Sequence, residues 1–190
     1  MLRQSKVGWP LLLGCWLGLA CPLALADEDA PFGQPSVSVE VADDVYTLDA
    51  LAPLRLTPPV RDALENGVDL HIAWRINIER QRRWWLDSQV ASVVQRNRLS
   101  YHPLSRQFVV TNRNTDERRS YQRLDRALNA IGTLVDFPVV DRVLIDRPGE
   151  HRGYVRVQLV HSKLPLPLRT TAFFSSAWDL ASQWREWRLD

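Results

Sequence analysis

The residues whose types and spacing favour binding chemistry form one run, Arg80-Gln81-Arg82-Arg83-Trp84-Trp85. Guanidinium groups beside indole faces can hold anionic sugars, phospholipid head groups or carboxylates. In the alternative interpretation, one tryptophan packs in a core and the other at a sheet rim, with the arginines solvated around them. We predict a candidate binding surface, extended by the segment that ends at Arg169, which comprises Arg80, Arg82, Arg83, Trp84, Trp85 and Arg169.

Signatures of catalysis or of metal binding are missing from the sequence. The four histidines, His71, His102, His151 and His161, do not show HxxxH or HxH spacing, and no serine stands in a Gly-x-Ser-x-Gly elbow. His71 and His161 would approach each other only if their strands pair, which is a weak metal hypothesis. We therefore predict no catalytic residue, no metal site and no cofactor.

Two carboxylate pairs, Asp43-Asp44 and Asp116-Glu117, fall in predicted turns. Solvated turn residues are the simpler interpretation of both pairs. A hydrolase whose carboxylates and histidines are assembled across the fold is the enzymatic alternative.

The N-terminus has the three parts of a secretory signal peptide. Arg3 and Lys6 precede an uncharged, apolar stretch, and the small-x-small site Ala24-Leu25-Ala26 comes directly before Asp27. The sequence therefore predicts a signal peptide over residues 1–26, cleaved between Ala26 and Asp27. An uncleaved membrane anchor is the alternative, although prolines interrupt the apolar run.

A lipoprotein signal is a second alternative at the N-terminus. Leu12-Leu13-Gly14-Cys15 resembles a site at which the cysteine becomes the acylated first residue, and Cys21 is a weaker candidate. A lipid anchor would keep the domain on a membrane surface. If residues 1–26 are cleaved as predicted, only a lipidated or uncleaved form of the protein would contact a membrane.

Removal of residues 1–26 changes the composition of the protein. The formal net charge of +2 disappears with Arg3 and Lys6, and both cysteines disappear as well. The remaining chain has no thiol or disulfide chemistry, and its balanced charge counts against nucleic acid as a partner. It has 21 arginines beside one lysine, Lys163, which we attribute to genome composition.

Residues 27–36 are polar and rich in proline, and they predict a flexible lead-in. Period-two alternation begins at Val37 and continues across a turn at Asp43-Asp44, which predicts a hairpin. Thr57 is a predicted N-cap for a short helix that begins at Pro58 and ends at Asn66-Gly67. The clearest strand runs from Val68 to Ile78, with alternate residues apolar, as in an antiparallel sheet with one wet face.

The second half of the chain gives further strands and one more helix. Residues 84–102 predict a long or broken strand, which returns at Gln107 to Thr111 after a turn. Ser120 is the predicted cap of a second helix that Pro138 ends, and its apolar side extends to Leu134 and Val135. The final elements are predicted as strands over 139–145 and 154–161, an extended segment over 164–168, and a strand through 174 followed by a short helix or turn.

These patterns predict an α+β, β-rich fold in one domain over residues 37–190. We expect a mostly antiparallel sheet, or two packed sheets, with two short covering helices. Parallel βαβ units are disfavoured because short turns join consecutive strands.

The assembled pattern resembles a known family of exported proteins. The segment Ile78 to Trp85, the stretch Leu99 to Leu104 followed by Phe108-Val109-Val110, the Leu164 to Arg169 stretch and a tryptophan-rich end carry the resemblance. The family is that of the uncharacterised "proline-rich signal peptide" proteins of Gram-negative bacteria, a domain of unknown function. The resemblance implies an envelope protein, and gene neighbourhood in that family suggests a sensor histidine kinase as partner.

Together these observations favour a non-catalytic periplasmic binding or interaction protein of the cell envelope. Its partner would be an envelope protein, such as a membrane sensor kinase, or another envelope component. The envelope hydrolase and a structural lipoprotein are the two alternatives.

Overall fold

A computed structural model of the protein describes residues 30–81, 88–145, 150–168 and 175–189. The strands are β1 (Ser36–Ala42), β2 (Val45–Leu51), β3 (Leu70–Arg80), β4 (Ser88–His102), β5 (Gln107–Asn112), β6 (Arg118–Tyr121), β7 (Thr133–Asp141), β8 (His151–Leu159) and β9 (Arg185–Leu189). The helices are α1 (Pro58–Glu65), α2 (Leu124–Ile131) and the single turn α3 (Arg142–Ile145), with 3-10 turns at His161–Lys163 and Ser176–Trp178.

The strands form two antiparallel sheets. One has three strands in the order β1-β2-β7, and the other has six in the order β6-β5-β4-β3-β8-β9. Every pairing between the described strands is antiparallel, which confirms the predicted β-rich α+β class.

The predicted signal peptide lies outside the described residues. The same holds for its cleavage residues Ala24, Ala26 and Asp27 and for the alternative lipidation sites Cys15 and Cys21. These assignments remain predictions. Within the described part of the chain, no helix has the length and apolar character needed to cross a membrane.

The first hairpin forms where the period-two pattern predicts it. β1 and β2 are joined by Asp43 and Asp44, whose φ angles are 50° and 61°. Two successive left-handed residues give a turn whose twist matches that of the flanking strands, and aspartate tolerates this conformation.

The first helix also forms as predicted, except for the side-chain bond of its cap. Pro58 is its first residue, and Gly67 supplies a left-handed φ of 87° just beyond its end. Thr57 occupies the predicted N-cap position, and its carbonyl accepts a hydrogen bond from the Arg61 amide, but its side chain makes no capping hydrogen bond. Its hydroxyl instead donates a hydrogen bond to the Ala177 carbonyl at 2.6 Å, so that a tertiary contact replaces the local one.

The central strand β3 places its even-numbered side chains in the core. Leu70, Ile72, Trp74, Ile76 and Ile78 are fully buried. Trp74 Nε1 donates a hydrogen bond to the Ile131 carbonyl at the end of α2 at 2.8 Å. This bond ties the six-stranded sheet to the helix that covers its core-facing side.

The second helix is shorter than predicted and begins later. Ser120 does not cap it, because Ser120 pairs with Val109 in strand β6, and the helix begins at Leu124 and ends at Ile131. Leu134 and Val135, which continue the helical spacing, lie in β7. Leu134 is buried and Val135 exposed, an alternation that fits a strand equally well. Gly132 separates the two elements.

Pro138 does not end a helix but lies inside β7. That strand is at the edge of the three-stranded sheet, where a missing amide hydrogen is tolerated. The strand predicted over residues 139–145 is only partly correct. It ends at Asp141, and Arg142–Ile145 form a helical turn.

The C-terminal tail ends in a strand that the sequence did not predict. The 3-10 turn Ser176–Trp178 matches the expected short helix or turn. Beyond it, β9 pairs with β8 over Arg185–Leu189. The Trp187 ring lies against Gly153, where a side chain would collide with it. Pairing with β8, rather than local periodicity, decides the conformation of this segment.

Candidate functional site

Of the binding surface predicted from sequence, only Arg80 is among the described residues. Arg80 is the last residue of β3, opposite Ser88 on β4 and His151 on β8. The next amide, that of Gln81, donates a hydrogen bond to the Glu150 carbonyl at 2.9 Å. Arg82, Arg83, Trp84, Trp85 and Arg169 lie outside the described residues, so this surface stays a prediction.

The apolar segment 164–168 approaches the sheet at the end far from Arg80. It follows the 3-10 turn His161–Lys163, which contacts β3, and the Val160 amide bonds the His71 carbonyl at 2.7 Å. A strand advances by roughly 3.3 Å per residue, so His71 and Arg80 are about 30 Å apart along β3. The described part of the predicted extension therefore begins at the opposite end of β3.

The outer face of the six-stranded sheet carries a different grouping of arginine and tryptophan. Arg75 on β3 lies directly opposite Arg156 on β8. The Arg156 guanidinium carbon lies 4.5 Å from the centroid of the Trp184 ring, just before β9 begins. Guanidinium and indole are therefore brought together here by strand pairing and not by adjacency in the sequence.

A third arginine completes this grouping. Arg96 on β4 lies opposite Ala73, and Arg75 lies opposite Val94. Arg96 and Arg75 are therefore diagonal neighbours on one face of the sheet. Ala73 is small and buried, which leaves the space above it to the longer side chains. We call the surface formed by Arg75, Arg96, Arg156 and Trp184 the arginine face.

Two other arginines of this sheet have carboxylate partners. Arg98 lies 3.5 Å from Asp69, and Arg152 lies 2.6 Å from Glu186. The hydrogen bond to Glu186 raises the pKa of the Arg152 guanidinium above its usual value. These pairs flank the arginine face and neutralise its borders.

The arginine face itself is not neutralised within the described part of the chain. None of Arg75, Arg96 and Arg156 forms an ion pair with a described residue. The Arg156 Nε is buried and has no hydrogen-bond partner there. Three guanidinium groups lack a described carboxylate partner, and one of them, that of Arg156, lies beside an indole that is 40% exposed. The surface is therefore suited to an anionic ligand.

His71 and His161 lie on adjoining segments, since the Val160 amide bonds the His71 carbonyl, but their side chains have different surroundings. His161 Nε2 lies 2.6 Å from the Trp178 carbonyl, whereas His71 points to the outer face, opposite Arg98. Burial lowers the pKa of His71, against the opposing effect of Asp69. Among the described residues, no three histidine, cysteine, aspartate or glutamate side chains are close enough to hold a metal ion.

The carboxylate pairs lie in turns, as the sequence predicts. Asp43 and Asp44 form the β1–β2 turn. Asp116 lies 3.2 Å from Arg113, and Glu117 lies 2.8 Å from Arg119 in the β5–β6 connection. Their partners are surface arginines, and the two pairs sit on different hairpins.

Sequence reasoning missed the arginine face. Arg96 and Arg98 are two residues apart, and Arg152 and Arg156 are four apart, spacings that put each pair on one face of a strand. An overall richness in arginine, which genome composition can explain, does not reveal this spacing. The contact between Arg156 and Trp184 depends on the pairing of the tail with β8, which no local pattern reveals.

The comparisons with known proteins give a family and no close relative. No curated protein and no solved structure matches this chain. Residues 34–188 match a family described as a domain of unknown function, DUF4390. This match confirms the resemblance to a domain of unknown function that the sequence suggested. The chain therefore belongs to the DUF4390 family.

Proposed function

We propose that this protein is a non-catalytic binding module of the periplasm that uses the arginine face to bind an anionic component of the cell envelope. The observation that carries the proposal is the direct opposition of Arg75 and Arg156 without a carboxylate partner among the described residues. The signal-peptide pattern of residues 1–26 and the resemblance to exported proteins of Gram-negative bacteria support the periplasmic location.

Like charges directly opposite each other on neighbouring strands destabilise a sheet. Trp184 offsets part of this cost because its ring faces the Arg156 guanidinium, but it removes no charge. An anion between Arg75 and Arg156 would turn the repulsion into two charge-assisted hydrogen bonds. The arrangement of charges therefore favours the surface with a bound anion over the free surface.

The partner we infer carries carboxylate or phosphate groups. An acidic surface of an envelope protein meets this requirement, and a sensor histidine kinase is the candidate that the family resemblance suggests. Anionic lipid head groups carry the same chemistry. Binding measurements with an acidic peptide and with anionic vesicles separate these two sources.

The test measures binding of the purified protein to two anionic probes. Vesicles of phosphatidylglycerol are compared with vesicles of phosphatidylcholine, and an aspartate-rich peptide is titrated separately. We expect saturable binding to one anionic probe that weakens with salt, and a loss of at least about tenfold in the Arg75→Gln, Arg156→Gln double variant.

Arg55→Gln is the matched control, because Arg55 is exposed and lines a groove with Phe108 and Leu128, away from the arginine face. It should bind as the unchanged protein does. Equal binding by the double variant and the control, or no binding to either anionic probe, would overturn the proposal.

The state of the N-terminus has its own test. Mass spectrometry of the protein from the periplasmic fraction should show Asp27 as the first residue. An acylated Cys15 or Cys21 would instead favour the lipoprotein alternative, in which the domain stays on a membrane surface.

A further inference from the structure

A cleft of about 440 Å³ lies on the core-facing side of the six-stranded sheet, separate from the arginine face. Strands β4, β5 and β6 form its floor, and the end of α2 with the start of β7 forms its other wall. Its polar lining includes Gln95, Asn97, Asn112 and Tyr121 as well as an ion pair, and we call it the amide cleft. Its volume lies in the range of small-molecule sites.

Gln95 and Asn97 are unusual residues for their positions. They are only 6% and 7% exposed, and they lie opposite Trp74 and Ile72, which are fully buried. Because Arg96 between them points outward, strand β4 supplies one side chain to the arginine face and two to the amide cleft.

Neither of these buried amides has a hydrogen-bond partner among the described side chains and backbone groups. Both residues are mostly buried, but neither amide is among the buried polar atoms that lack a partner, so the amide groups reach the open space of the cleft. Asn112 differs, because its Oδ1 accepts bonds from the amides of Asn114 and Thr115 at 2.9 Å and 3.2 Å. The unused donors and acceptors of Gln95 and Asn97 are therefore available to a ligand in the cleft.

The ligand chemistry follows from the charge and polarity of the lining. Glu117 and Arg119 at the cleft pair with each other at 2.8 Å, so they leave little net charge. Val110 and Leu134 add apolar surface beside the amides. The cleft thus suits an uncharged ligand that offers a hydrogen-bond donor, an acceptor and a small apolar group close together.

We propose that the amide cleft binds a saccharide that carries an N-acetylated amino sugar. The acetamido group supplies an N–H, a carbonyl oxygen and a methyl group, which match the amides of Gln95 and Asn97 and the apolar wall. A peptide is less suited, because a peptide that adds a strand would pair with the backbone of the edge strand β6, whereas the unused donors and acceptors of the cleft are side-chain amides of β4.

The first experiment is calorimetric titration of the purified protein with three neutral probes. These are N,N′-diacetylchitobiose, cellobiose, which has the same linkage but no acetamido group, and N-acetylalanine amide. We expect saturable binding of diacetylchitobiose and at least about tenfold weaker binding of cellobiose. Three outcomes would overturn the proposal. They are binding of N-acetylalanine amide but of neither sugar, equal binding of both sugars, and no binding of diacetylchitobiose up to about 10 mM.

The second experiment replaces each amide with an apolar side chain of similar size. Asn97→Leu and Gln95→Met should weaken diacetylchitobiose binding at least about tenfold. Both should keep the melting temperature of the free protein close to its original value, because neither amide bonds a described residue and the size of the side chain is kept.

Gln158→Met is the matched control, since Gln158 lies on the outer face of β8. It should leave sugar binding unchanged. Folded Asn97→Leu and Gln95→Met variants that bind the sugar as tightly as this control would overturn the site. The arginine-face variants should also bind the sugar normally, which separates the two proposals.

Discussion

Arg156 on β8 lies directly opposite Arg75 on β3, and no described carboxylate pairs with either of them. The two guanidinium groups share one face of an antiparallel sheet, at the distance at which side chains interact across strands. The free protein therefore retains a local electrostatic repulsion between two neighbouring strands of the six-stranded sheet.

Arg75→Gln should stabilise the free protein. Removing one charge of the opposed pair relieves a repulsion of about 0.2–1 kcal/mol, and glutamine keeps much of the side-chain length. Urea unfolding measures the change, with Arg55→Gln as the control for loss of an exposed arginine. A midpoint that falls below that of the control would show that Arg75 contributes a stabilising contact.

The contact of Arg156 with Trp184 should appear as a coupling energy. A double-mutant cycle of Arg156→Gln and Trp184→Leu should give about 0.5–1 kcal/mol, the range for partly exposed cation–π pairs. Unfolding of the four proteins in urea supplies the values. Additive effects of the two substitutions would mean that the proximity at 4.5 Å contributes no energy.

Gly153→Ala should be strongly destabilising. A methyl group at this position would overlap the Trp187 ring that packs on the β8 backbone. We expect a loss of about 1–3 kcal/mol, the usual cost of overpacking, measured by urea unfolding.

The same clash predicts a rescue. Combining Gly153→Ala with Trp187→Ala should cost less than the sum of the two single changes, because the added methyl then has space. If Gly153→Ala destabilised the protein equally with and without Trp187, the loss would instead come from the backbone conformation of Gly153.

Stability should fall as the pH drops through the ordinary pKa of histidine, in part because of His71. Burial lowers its pKa in the folded protein; Asp69 opposes this shift, while Arg98, Lys163 and Arg113 add to it. Protonation therefore favours the unfolded chain, so this contribution is complete above about pH 6.5 and is lost as the pH falls below it.

His71→Gln should flatten this dependence. Urea midpoints at about pH 8 and about pH 5.5 would be compared in both proteins, so that the other three histidines contribute equally. An equally steep pH dependence in the variant would assign the effect to another group.

Trp74→Phe should cost about 1–3 kcal/mol. The substitution keeps an aromatic ring in the core but removes the hydrogen bond to the Ile131 carbonyl and leaves that carbonyl without this donor. Chemical unfolding gives the magnitude. No change in stability would indicate that the carbonyl finds another donor when the indole is removed.

Several elements follow from local sequence alone. Alternation of apolar residues determines β3, because the side chain at each even-numbered position is buried away from water. Asp43-Asp44 marks a turn and Gly67 marks a helix end, because these residues tolerate a left-handed backbone. These choices depend on near neighbours in the chain. They are sufficient to predict the class of the fold and its antiparallel pairing.

Other features depend on contacts between residues that are distant in the chain, and local sequence patterns do not predict them. Leu134 and Val135 fit a helix and a strand equally, and pairing with β2 selects the strand. Thr57 has a good local role as a cap, but its hydroxyl bonds Ala177 instead.

Both candidate sites belong to this second group. The sequence alone determined that the chain is rich in arginine, tryptophan and polar strand residues. Only the tertiary structure decided that Arg75, Arg156 and Trp184 meet on one face while Gln95 and Asn97 open into a cleft on the other. The physical reason is that strand pairing brings together residues that are far apart along the chain, and each pairing is set by the burial of the whole sheet.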